Sequence, residues 1–436
     1  MIPTTPLLER LRDDTREALV HLEGLPLWAA LKDGTLPRES YVLFLEAMHA
    51  VHEPLREPLG GQPDPRVTAF WDAMAARIPL LEEDLTYLQR DRPGRTTESL
   101  LHAIMLSEET VLRGRRDPAS LAGFLYVLHT SPLGDSLLAP LLSQPYGLPG
   151  TEGLAFVQGS APAQQAWGPF AEALQASTLD RDGQARAVDA ALEAVEGLER
   201  IAEQLHPLVL EDDPDTLGHV LNPGAGRHVV AEDPRELRAA LRAGVRSWER
   251  FPYYERRYGR RGRRFTRSDS AWLVTLASLP QSEVDRQIRW LGQVLAARGM
   301  PRWMLELHLE VLHEELVLSV PEAGDAYAPL LSAARHLRDQ RHSVLEERVW
   351  GEIGASFDAA VGSRWARQLP GIGGLLVAAV ADEALGVRHA VSSLEGWLTD
   401  PGRFPPAWAT AVRQTLDQAW ELVDAARPGL STGSGA

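Results

Sequence analysis

RESYVLFLEAMHAVHEPLREPL, residues 38–59, decides how the rest of the chain reads. Tyr41, Leu45, Met48, His52, Leu55 and Leu59 recur at intervals of four, three, four, three and four residues. That is the spacing of one stripe along an α-helical face, not the alternation of a strand. Proline lacks the amide that a helix interior needs, so Pro54 and Pro58 end or kink this helix and its regular part stops near His52. Similar spacing returns at 69–90, 97–113, 119–129, 165–176, 184–205, 235–247, 269–278, 283–298, 302–318, 328–349 and 405–426. Period-two segments are scarce, and the chain reads as all-α.

The 436 residues suffice for two to three domains with cores of their own. The clearest break is HPLVLEDDPDTLGHVLNPGAGRHVVAED, residues 206–233, rich in Pro, Gly and Asp and without sustained period. Asp233 followed by Pro234 has the form of an N-cap and a first-turn proline, which restarts helix. The expected organisation is a first domain over 1–206, a linker over 207–233, a second all-helical domain over 234–426 and a disordered tail over 427–436. The opening residues lack a basic region followed by an apolar one, and the longest uncharged apolar run, GIGGLLVAAVA at 371–381, is too short to span a bilayer. A cytoplasmic protein without membrane contact is the expectation.

The chain has no cysteine, which excludes disulfides, Fe–S clusters, thiolate-held haem, cysteine nucleophiles and thiolate zinc sites, and no structural-zinc signature appears. Any metal would have to be held by the 13 histidines, carboxylates or carbonyls. A net charge of −16 disfavours general nucleic-acid binding, since a phosphate backbone would be repelled over most of the surface. No nucleotide-binding loop or hydrolase elbow is present.

Four stretches, in order, resemble the bacterial biliverdin-producing haem oxygenases. LRDDTREALVHLEGLPLWAALKDGTLPRESYVLFLEAMHAVHEPL, residues 11–55, is similar to their first helix, a Gly-Thr-Leu-Pro turn and a Tyr-Val helix ending in His. FLYVLHTSPLGDSLLAPLL, residues 124–142, is similar to their distal helix, and AWGPFAEAL at 166–174 with the helix at 184–205 to the end of that domain. The resemblance implies an all-α fold over residues 1–206, with haem as the possible cofactor. In that family an imidazole of the first helix ligates iron, and glycines of the distal helix let the backbone approach the porphyrin. Here the ligand position carries Leu19, the first distal glycine position carries Thr130, and the following pair falls on Gly134 and Asp135. His21 stands two residues after Leu19, about 200° around a helix of 3.6 residues per turn. A relocated ligand would therefore need a rotated or distorted helix.

Glu46, His49 and Glu53 share a helical face at i, i+3 and i+7, a spacing that bundles use for non-haem iron or manganese. The competing reading is a solvated face of paired side chains. Glu306, Glu310 and His313 repeat the pattern in the second half, and Trp290 and Trp303 read as core.

RFPYYERRYGRRGRRFTRSDSAWL, residues 250–273, concentrates arginine in an acidic chain, including Arg256, Arg257, Arg260, Arg261, Arg263 and Arg264. Guanidinium suits bidentate capture of carboxylate or phosphate. Its readings are an anion site, for instance for tetrapyrrole propionates, a nucleic-acid contact, a solvated loop, or docking of this domain onto the first domain or another subunit. Ser268 is placed as the N-cap of a following helix. The Gly299-Met300-Pro301 break and its flanks bear a faint resemblance to the globin stretch that carries the proximal histidine, with Leu295 at that position.

Three functions follow: a superfamily protein with a degenerate site that binds a tetrapyrrole, another apolar small molecule or a partner; an active haem oxygenase yielding biliverdin, iron and carbon monoxide; or a non-haem metal oxidase on the same fold.

Overall fold

The computed structural model describes residues 5–59, 64–88, 96–131, 148, 152–208 and 215–426. Among them there is no β-strand. The chain divides into two compact units, Met1–Val220 with Glu232–Arg238, and Leu221–Ala231 with Ala239–Ala436.

The first unit contains α1 (Leu7–Glu23), α2 (Pro26–Lys32), α3 (Arg38–His52), α4 (Pro65–Ala75), α5 (Ile78–Leu88), α6 (Glu98–Arg116), α7 (Pro118–Thr130), α8 (Ala155–Gln158), α9 (Ala161–Gln175), α10 (Arg181–Leu205) and α11 (Thr216–Leu221). α3 ends at His52, and Pro54 lies in the 3-10 turn Glu53–Arg56 that follows. The α3 stripe is buried through Tyr41, Leu45, Met48 and His52, and the Tyr41 hydroxyl donates to Gly153 O at 3.0 Å. His52 is a core histidine: Nδ1 hydrogen-bonds Met48 O at 2.8 Å, and burial is the main cause of a pKa near 3.

α10 is the long strut of this unit and packs on α1, α3, α6 and α7. Its N-cap Asp180 accepts from Gly183 N at 2.8 Å, and its inward face carries the small residues Ala187, Ala190, Ala191 and Ala194. α7 comes so close that a Cβ on Gly123 would stand 2.0 Å from Ala187 O. Asp117 caps α7 and also accepts from Arg186 of α10 at 2.9 Å.

The stretch read as a linker, 207–233, carries α11 and a 3-10 turn at Pro223–Ala225, and buries Leu221, Asn222, Val230 and Ala231.

The second unit contains α12 (Pro234–Arg250, from Ala239 onward), α13 (Pro252–Leu276), α14 (Gln281–Ala296), α15 (Arg302–Ser319), α16 (Ala328–His342), α17 (Glu347–Gln368), α18 (Ile372–Ala384), α19 (Ala390–Leu398) and α20 (Pro406–Ala426). The apolar run at 371–381 is the buried centre of this unit. All residues of α18 from Ile372 to Asp382 are buried, with α15, α17, α19 and α20 packed around them. Among the described residues no helix is long and apolar enough to cross a membrane.

Two expectations change here. Helix runs through the arginine segment from Pro252 to Leu276, kinked at Gly259, whose φ of 51° suits glycine. Ser268 is therefore not an N-cap; it lies buried inside α13, donating to Phe265 O at 3.1 Å. Trp290 is not core but 56% exposed, whereas Trp303 packs edge-on against Trp350 and Phe251.

Candidate functional site

On α1, Leu8, Leu11, Thr15 and Leu22 face the interior, as their spacing requires. Thr15 Oγ1 donates to Leu11 O at 2.7 Å. Leu19, one turn after Thr15, is half-buried and offers only hydrocarbon. His21 is exposed and acts electrostatically on Glu199 of α10, where burial raises the carboxyl pKa and the imidazole opposes the rise. The two positions thus lie on different sides of α1, and α1 offers no imidazole from its inward face.

Tyr126 of α7 is buried against Thr15 and Thr130, and desolvation raises its phenol pKa. Thr130 Oγ1 turns back to its own helix and donates to Tyr126 O at 2.9 Å. Beside it His129 stacks on Trp167 of α9, with ring centroids 4.0 Å apart and planes 12° from parallel. Trp167 continues to Tyr126 at 6.1 Å, while Phe70 of α4 meets His129 edge-on at 5.7 Å and stacks on Phe170 at 4.4 Å. Burial lowers the His129 pKa to about 4, helped by the Arg77 charge, so its imidazole is neutral near pH 7. This aromatic slab joins residues of α4, α7 and α9 and is invisible to helical periodicity, which reports faces within one helix. Gly134 and Asp135 lie outside the described residues.

The carboxylate–histidine face of α3 carries ion pairs. His49 Nε2 lies 3.5 Å from Glu53 and 3.8 Å from Glu82, but Arg56 bridges both carboxylates, at 3.2 Å and 2.6 Å. Among the described residues no three His, Asp or Glu side chains gather so as to hold a metal ion, and Glu46 joins no such group. The related face of α15 is a bundle contact. Glu306 is buried and receives Arg338 at 3.1 Å and Arg341 at 3.0 Å, and Glu310 pairs with Arg338.

The arginines of α13 divide by role. Arg257 donates to the Tyr253 hydroxyl at 2.5 Å and to Ser393 O at 2.9 Å, so it ties α13 to α19. Arg263 pairs with Glu255 at 2.5 Å across the Gly259 kink. Arg261 lies over the Phe265 ring at 5.7 Å and lines a cavity. Arg256, Arg260 and Arg264 are exposed.

Residues 5–203 match the family model described as Heme oxygenase, and this first segment of the chain is haem oxygenase-like. Among solved structures, the chain is similar to heme oxygenase-2 from Synechocystis sp. PCC 6803 in complex with heme and NO, at 20% identity and a TM-score of 0.39, over 47% of this chain and 86% of that one. No curated protein matches.

Proposed function

We propose that the first unit is a haem oxygenase-superfamily scaffold with a degenerate site. It holds a tetrapyrrole or another flat apolar molecule without an axial imidazole from α1. The observation that carries this reading is the pairing of half-buried Leu19 with exposed His21. Iron ligation needs a nitrogen lone pair on the inward face of the helix, and a leucine at that point leaves only packing. Thr130, branched where the family pattern has glycine, further opposes close backbone approach to a flat ring. Apolar and aromatic side chains around α7 and α9 suit binding by contact area.

Haemin titration with the visible spectrum, followed by reductant under air, tests this. The expected result is a broad Soret change without a sharp six-coordinate band and without a biliverdin-like product. A sharp band followed by that product would establish the competing reading, an active haem oxygenase, which the family match favours. His129→Ala identifies the source of any ligation: loss of the band would put the iron on α7, and retention would not.

A further inference from the structure

A cavity of about 1020 Å³ opens in the second unit between α13, α14 and the segment around Gly224–His228. A smaller pocket of about 80 Å³ adjoins it, sharing Tyr254, Asp269, Leu291, Leu295 and Met300 with it. Its size is at the upper end of ordinary small-molecule pockets, roughly 300–1,000 Å³. One wall is apolar, formed by Leu291, Val294, Leu295 and Met300. Facing groups include the rings of Tyr254, Phe265 and Trp272.

Basic side chains outnumber acids on the lining. Arg261 and Arg298 both line the cavity, and among the described residues neither makes an ion pair with a carboxylate. The Tyr258 hydroxyl donates to Arg298 O at 2.6 Å and so fixes the backbone at that point of the rim. His228 adds a third nitrogen-bearing side chain. The acid among the lining residues is Asp269, whose carboxyl burial pushes up to about 6 while the charges of His228 and Arg298 oppose the rise. Asp269 balances part of the Arg298 charge, and Arg261 and Arg298 together still leave a net positive rim over an apolar hollow, which suits an anionic group from outside.

Apart from Asp269, the polar groups on the wall formed by Ser247, His308 and Ser270 are satisfied among themselves. Ser247 Oγ gives its hydrogen to Ala243 O at 2.8 Å, so it accepts from His308 Nδ1 at 2.8 Å. His308 Nε2 is then the acceptor for the Ser270 hydroxyl at 2.9 Å. Burial holds His308 near pKa 4, in keeping with that neutral tautomer. The chain of donors closes on itself, and an apolar tail can lie against it at no hydrogen-bonding loss. Exposed Trp290, edge-on to Trp272 at 6.4 Å, stands at the rim.

The geometry points to a binding site for a hydrophobic carboxylate, an extended or flat apolar body against α14 with its anionic end on Arg261 and Arg298. The ligand class follows from the juxtaposition alone and is independent of what the first unit binds.

The test uses the full chain and cis-parinaric acid, a fluorescent polyene carboxylate, alongside its methyl ester. The acid is expected to bind saturably, quench tryptophan emission and bind at least about tenfold more tightly than the ester, as hydrogen bonds to charged groups require. The double variant R261Q/R298Q, at exposed positions, should erase that preference while leaving ester binding unchanged. Leu295→Trp, which fills the apolar wall, should weaken both. Equal affinity for acid and ester, a preference that survives R261Q/R298Q, or unaltered binding by a folded Leu295→Trp chain would each overturn the site.

Discussion

Single residues carry the sharpest consequences. His52 and His308 are buried and neutral, with pKa values pushed down from 6.5 to about 3 and about 4. A depressed histidine pKa means that the unfolded chain takes up the proton first. Stability is therefore full above pH 6.5 and is lost as the pH falls from 6.5 toward these values, by up to about 1.4 kcal/mol per pH unit for each group. Thermal unfolding of His308→Gln across this range should give a flatter profile for the second unit, and an unchanged profile would remove His308 as the cause. A second residue test lies at the start of α15. There Asp382 accepts from Arg302 N and Arg302 Nε, both at 2.8 Å, in a pair that is almost wholly buried. Asp382→Ala leaves a buried guanidinium and an uncapped helix start, and should cost about 3–5 kcal/mol in urea unfolding. A loss below about 1 kcal/mol, the range of exposed pairs, would contradict that description.

At the scale of elements, close approach of α7 and α10 depends on Gly123. A methyl group there meets a backbone carbonyl that has no rotamer to escape into. Gly123→Ala should therefore lower the urea midpoint by the equivalent of about 1–3 kcal/mol, with little change in slope. A neutral result would mean that the helices separate freely. The elements themselves were legible where an apolar stripe met a proline, as in α3, which ends at His52, while α10, read from 184, starts three residues earlier, after its cap Asp180. They were least legible in α13, because the nine residues 256–264, all Arg, Tyr or Gly, give no apolar period. Contacts with other elements make that stretch helical: Tyr253 donates to Gly299 O at 2.6 Å, and Arg257 reaches Ser393. Trp290 misled for the opposite reason, since a large apolar residue marks a cavity rim as readily as a core. Of the site, Leu19 and Thr130 could be read from spacing, but the stack of His129 on Trp167 joins residues 38 positions apart and needed the fold.

As a whole, the molecule contains two helical units, each with a core of its own, and a surplus of negative charge. Two of its clustered arginines are engaged within the second unit, Arg263 by Glu255 and Arg257 by Tyr253 and Ser393. Anisotropy with a labelled single-stranded oligonucleotide should accordingly show no binding at physiological salt, and a steep salt-dependent affinity would contradict this. For the first unit we propose that the haem oxygenase-like scaffold is kept while α1 supplies no iron ligand. Leu19→His tests it most directly, because it places an imidazole at the half-buried position where the family resemblance puts the iron ligand. Haemin titration of the two chains side by side should give a sharp six-coordinate Soret band in Leu19→His and none in the natural sequence. A six-coordinate band already present in the natural sequence, and unaltered by the substitution, would contradict the account.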